Sequence, residues 1–135
     1  MSGKKSRDKG ARGEREAAKF LTRLGFGCSR NARNGISTGD LTAIESLPNV
    51  HIEVKFGYGA MDIHTADLRK AWEQAALEAW GSVPGSEVGP LPTVLWKPLR
   101  KPWRLTWMES FGLVTTSGGE AIKGALLELN EKGGE

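Results

Sequence analysis

The sequence predicts an α/β domain whose elements run α-β-β-β-α-β-β-α. Three observations carry that reading. Apolar residues recur at helical spacing around residues 17–24 and 65–80. Apolar and polar residues alternate strictly from Val50 to Phe56, as a strand requires. Glycine- and proline-rich breaks separate these segments. At 135 residues the chain is the size of one domain, residues 1–135, and can bury a real core.

Taken in order, Met1 to Lys9 is polar and basic and reads as a flexible arm. A first helix is expected over about Ala11 to Leu24. Ala17, Phe20, Leu21 and Leu24 share a stripe, and Gly25 supplies the stop. Phe26 to Arg30 reads as a strand, followed by a polar loop from Asn31 to Gly39. Strands over Asp40 to Ser46 and Val50 to Phe56 flank a turn at Leu47-Pro48-Asn49. After a loop from Gly57 to Ile63, a helix is expected from Thr65 to Trp80, with Leu68, Ala71, Trp72, Ala75, Ala79 and Trp80 on its apolar face. Gly81 to Pro92 ends it. Thr93 to Trp96 and Trp103 to Met108 complete five strands around the basic proline turn Lys97 to Pro102. A short helix over Glu120 to Asn130 places Ile122, Leu126 and Leu129 on one side. The rest of residues 109–135 is a tail without an assigned role.

Composition narrows the class. A hydrophobic fraction of 39% and a charged fraction of 26% are those of a folded chain. The one cysteine, Cys28, excludes an internal disulfide and a cysteine-rich zinc module. No segment has the apolar length of a membrane span and the N-terminus lacks an apolar signal core, so a cytoplasmic protein is expected. Net charge is +3 but unevenly placed. Residues 1–33 carry ten basic side chains against Asp8, Glu14 and Glu16, a net of +7, whereas acids outnumber bases after Trp107. A basic head of this kind points to a polyanion partner, nucleic acid above all.

Glu53 and Lys55 are the candidate chemistry. A Glu-x-Lys triplet arises by chance about half a time in a chain this long, so its placement matters more than its occurrence. Val50, Ile52, Val54 and Phe56 form one apolar strand face, which puts His51, Glu53 and Lys55 together on the other. Asp40 opens the preceding strand, across the tight turn. Glu14 shares the helical stripe of Ala17, Leu21 and Leu24, where a charge is costly unless partnered. Carboxylates gathered on one sheet edge repel unless a cation is expected, and hard divalent cations want such oxygens. His51 and His64 show no zinc-like spacing with each other or with Cys28 and read as structural. The five tryptophans read mainly as core, with an interface as the competing use.

With these residues in view, the chain resembles the PD-(D/E)xK nuclease superfamily, and within it the archaeal-type Holliday junction resolvases that also occur in phages. Lys9-Gly10-Ala11-Arg12-Gly13-Glu14-Arg15 resembles the opening basic-Gly-x-x-x-Glu-Arg helix, and Leu24-Gly25-Phe26 followed by Arg30 its Gly-Phe-to-Arg strand. Gly39-Asp40 stands for the Pro-Asp motif with glycine in place of proline, and Ile52-Glu53-Val54-Lys55 matches the Glu-x-Lys strand. Where family members carry a loop serine before glycine, this chain has Asn34-Gly35, with Ser37 the nearest later hydroxyl.

The resemblance implies a restriction-endonuclease-like core with a central mixed five-stranded sheet flanked by helices. It implies Asp40, Glu53, the Val54 carbonyl and Glu14 as Mg²⁺ ligands, with Mn²⁺ able to substitute. Lys55 becomes the fourth catalytic residue beside Glu14, Asp40 and Glu53, and Asn34, Ser37 or Gln74 an accessory. Lys4, Lys5, Arg7, Lys9, Arg12, Arg30 and Arg33 then contact phosphates. The implied activity is symmetric cleavage of four-way DNA junctions by a homodimer, leaving 5′-phosphates, in the cytoplasm of a cell or of a phage's host. A restriction-like, single-strand or flap endonuclease on the same fold, or a non-catalytic DNA-binding protein, are the competing expectations.

Overall fold

The computed structural model describes residues 3–27, 46–56, 65–80, 90–98 and 100–133. They form helix α1 (Gly3–Arg23), strand β1 (Val50–Phe56), helix α2 (Thr65–Trp80), strands β2 (Leu91–Lys97), β3 (Arg104–Glu109) and β4 (Gly112–Ser117), and helix α3 (Gly119–Gly133). The four strands make one mixed sheet in the order β1-β2-β3-β4. β1 and β2 are parallel, with Val50 opposite Leu91 and Phe56 opposite Lys97. Parallel neighbours need a crossover, and α2 lies within it. The β2–β3 and β3–β4 pairs are antiparallel.

The alternation in β1 sets the layers. Val50, Ile52 and Val54 join Leu95 and Leu105 on one sheet face, where Ala17, Ala18 and Leu21 of α1 and Ile122, Leu126 and Leu129 of α3 cover them. Val94 and Trp96 belong to the other face and are covered by Leu68 and Ala71 of α2. Each fully buried leucine on these faces contributes about 1.5–3 kcal/mol. Trp103 ties α1 to the sheet end, stacked on Phe20 at 5.6 Å between ring centroids and tilted against Phe56 at 5.9 Å. Asn49 donates two hydrogen bonds to Asn130, from its N–H to Oδ1 at 2.9 Å and from Nδ2 to the carbonyl at 3.0 Å, which fasten the C-terminal turn of α3 to the turn before β1.

β1 and α2 span the residues expected of them. α1 ends as expected: Gly25 takes φ 103°, and the Phe26 N–H and Gly25 N–H donate to the Leu21 and Thr22 carbonyls, a glycine stop that satisfies two orphan acceptors. Its start differs. Residues 3–9, expected as a flexible arm, continue the helix, since lysine and arginine are good helix formers once a packed segment has supplied the nucleus.

The expected five-strand order also differs. Among the described residues there are four strands, and Phe26 and Gly27 are not in one. The rest of the strand expected over Phe26 to Arg30, and all of the Asp40 to Ser46 strand but Ser46, lie outside the described residues. β4 was not expected at all. It closes a two-residue hairpin through Ser110 and Phe111, with Gly112 at φ 136° opposite Glu109. Part of the supposed tail is thus strand β4, and the short helix expected over Glu120 to Asn130 is core helix α3, with Ile122, Leu126 and Leu129 buried. No described helix is long and apolar enough to cross a membrane.

Gly13 is where α1 meets β1. A Cβ there would lie 2.6 Å from the Phe56 Cβ, a contact that needs the backbones to part. Gly13→Ala should therefore destabilise the protein by about 1–3 kcal/mol in urea unfolding, despite alanine's better helix propensity. Gly124→Ala, in α3 with open space at the added methyl, should instead stabilise it by about 0.5–1 kcal/mol.

Candidate metal and nucleic-acid site

Glu53 sits mid-strand in β1, opposite Val94, with Lys55 opposite Trp96. The expected grouping of His51, Glu53 and Lys55 on one face holds, and α2 roofs that face so that Glu53 is buried while Lys55 stays one-third exposed. Glu53 is 4% exposed. Taking a carboxylate this far from solvent costs several kcal/mol unless charges or donors compensate it. Lys55 supplies one such charge, its Nζ 3.9 Å from Glu53 Oε1.

α2 supplies the rest of the polar group. His51 Nε2 and Glu78 Oε2 are 3.1 Å apart, and Gln74 Nε2 donates to Glu78 Oε1 at 3.1 Å. One ligand atom from each of His51, Glu53 and Glu78 lies within 4.8 Å of the others. His51, read from spacing as structural, is therefore part of a polar cluster. Glu78 escaped the sequence reading because it is 27 residues away. Its only signal there was its position one helical turn after Gln74. Gln74 itself is exposed and acts on Glu78.

Glu14 is half-buried on α1, next to Gly13 at the Phe56 contact and beside Arg12, whose guanidinium carbon lies 5.8 Å from the Phe56 ring centroid. The helix is thus anchored at the carboxyl end of β1, one strand position beyond Lys55. Val54 is buried and registers with Leu95. Lys4, Lys5, Arg7 and Lys9 ride on the first half of α1. Asp40, Arg30, Arg33, Asn34 and Ser37, with Cys28 and His64, lie outside the described residues.

A cationic rim borders this end of the sheet. Lys97 Nζ stands 5.9 Å from the same Phe56 ring that Arg12 approaches, and Arg104 covers Trp96 at 5.2 Å. Arg100 and Lys101 are exposed in the β2–β3 turn, where Arg100 takes φ 63° and the Lys101 N–H donates to the Pro98 carbonyl at 3.1 Å. Lys97, Arg100 and Lys101 were visible in the sequence as a basic proline turn but were not assigned to binding. The fold brings that turn to the same strand ends as Arg12. Trp96 and Trp103 are buried and Trp72, Trp80 and Trp107 half-buried, as the core reading expects.

No protein-family model matches the chain, and no curated protein does. Among solved structures it is similar to Archaeoglobus fulgidus Hjc, a Holliday junction resolvase from an archaeal hyperthermophile. The likeness spans 90% of this chain and 98% of that one, with 22% identity and a TM-score of 0.45.

Removing the lysine should be felt by the metal-free protein. Lys55 is one-third exposed and 3.9 Å from the carboxylate, so solvent screens part of the attraction. Lys55→Met should lower stability by about 1 kcal/mol in urea unfolding with EDTA present, and less when divalent cation is added.

Proposed function

We propose that this chain is a Mg²⁺-dependent, structure-selective endodeoxyribonuclease that resolves four-way DNA junctions. The observation that carries the reading is a buried carboxylate, Glu53, paired with Lys55 two residues on in strand β1. Glu14 follows Arg12 and Gly13, the two α1 residues that approach Phe56 at that strand's carboxyl end. This is the framework on which the ordered Glu14, Asp40, Glu53 and Lys55 pattern would converge.

The donor set fits a hard cation. Glu14, Asp40, Glu53 and the Val54 carbonyl offer oxygen only, which Mg²⁺ prefers, and Mn²⁺ should replace it. Bound divalent cation would supply electrophilic polarisation of the scissile phosphate and a more acidic water. Lys55 would orient the attacking water or offset charge on the phosphate oxygens. The products would be a 5′-phosphate and a 3′-hydroxyl.

Lys4, Lys5, Arg7, Lys9, Arg12, Arg30 and Arg33 would hold the DNA backbone, joined by Lys97, Arg100 and Lys101 on the β2–β3 turn. Contacts of this type give affinity without base readout, which suits recognition of a branch by shape. Two paired incisions call for two active sites, hence a two-fold homodimer.

Asp40→Asn and Lys55→Ala should each lower the rate of junction cleavage at least about a hundredfold while junction binding by gel shift is kept. Cleavage at the wild-type rate by either variant would remove the residue from the mechanism. In the Lys97→Ala/Lys101→Ala double variant, the plot of log affinity against log salt should flatten by roughly 1–2 units. An unchanged slope would place the DNA elsewhere.

A further inference from the structure

The polar cluster under α2 contains a nitrogen donor that an all-oxygen Mg²⁺ centre does not use. We propose that His51, Glu53 and Glu78 form a binding site for a first-row transition-metal dication, Zn²⁺ being the type case, which clips β1 to α2. The site shares Glu53 with the proposed nuclease centre but does not depend on that activity.

Geometry argues first. The three ligand atoms lie within 4.8 Å of one another. The 3.1 Å between His51 Nε2 and Glu78 Oε2 is close to the ~3.4 Å edge of a tetrahedron with Zn–N and Zn–O distances of about 2.1 Å. Charge argues second. Two carboxylates share a cluster with Lys55 as the nearby cation. The carboxylates sit where side-chain exposures are 23% for Glu78 and 6% for Glu53, beside His51 at 13%. Repulsion between carboxylates is poorly screened there, and a dication would relieve it.

Orientation argues third. Gln74 holds Glu78 by Oε1, the oxygen not facing His51, which is how an outer hydrogen bond aims a ligating carboxylate. Ligand chemistry then selects the cation. Imidazole suits zinc and its neighbours, whereas Mg²⁺ seeks oxygen alone. Waters would complete the coordination.

The test is a titration of the full-length, metal-free protein with Co²⁺, followed by its visible d–d absorption, and reversed by Zn²⁺. The wild type and Asp40→Asn should each take up one Co²⁺ with equal affinity. His51→Ala and Glu78→Gln should weaken uptake at least about tenfold with unchanged far-UV circular dichroism. Failure of the folded wild type to bind Co²⁺ would overturn the proposal. So would weakened binding in Asp40→Asn with full binding in His51→Ala, an outcome that places the cation in the Asp40–Glu53 centre and leaves the nuclease reading standing.

Discussion

Everything in this molecule that resembles chemistry depends on β1 being covered on both faces. α1 and α3 take the face of Val50, Ile52 and Val54, and α2 lies over the face shared with Val94 and Trp96. A strand sandwiched in this way has little water to offer its polar residues. His51, Glu53 and Lys55 must therefore find partners within the protein or in what binds to it. The hydrogen bond between His51 and Glu78 of α2 and the proximity of Lys55 to Glu53 are responses to that constraint. A divalent cation would be a further one.

The same constraint explains where the cations gather. α1 approaches β1 closely because Gly13 has no side chain to keep Phe56 away. That contact brings Arg12 to one side of the Phe56 ring, and the parallel register brings Lys97 to it as well. Positive charge is thus concentrated at the carboxyl end of β1, next to Lys55, although the whole chain is only +3. A polyanion drawn to this rim would meet Lys55, one-third exposed at the adjoining strand position, with Glu53 buried behind it.

Legibility in the sequence followed the strength of the local signal. β1 and α2 were readable because alternation and helical spacing were sustained over whole elements, and the Gly25 stop because a left-handed residue favours glycine. β4 was not read, though Gly112 and Gly118 bracket Leu113-Val114-Thr115-Thr116. It is a half-exposed edge of the described sheet, so its hydrophobic contrast is low. The start of α1 was hidden because residues 3–9 carry no apolar stripe. Of the site, Glu53 and Lys55 were visible as a pattern on one strand. The convergence of Glu78 on His51 was not, since only the crossover packing of α2 creates it.

The most direct test of the account is cleavage of a labelled synthetic four-way junction beside a linear duplex of the same arms, in Mg²⁺ and in EDTA. Paired symmetric nicks in the junction alone, abolished by EDTA, are the result expected of a buried carboxylate–lysine pair serving a metal-dependent resolvase. Binding of the junction without cutting in Mg²⁺ would contradict it, and would leave Glu53 and Lys55 as a structural ion pair beneath α2.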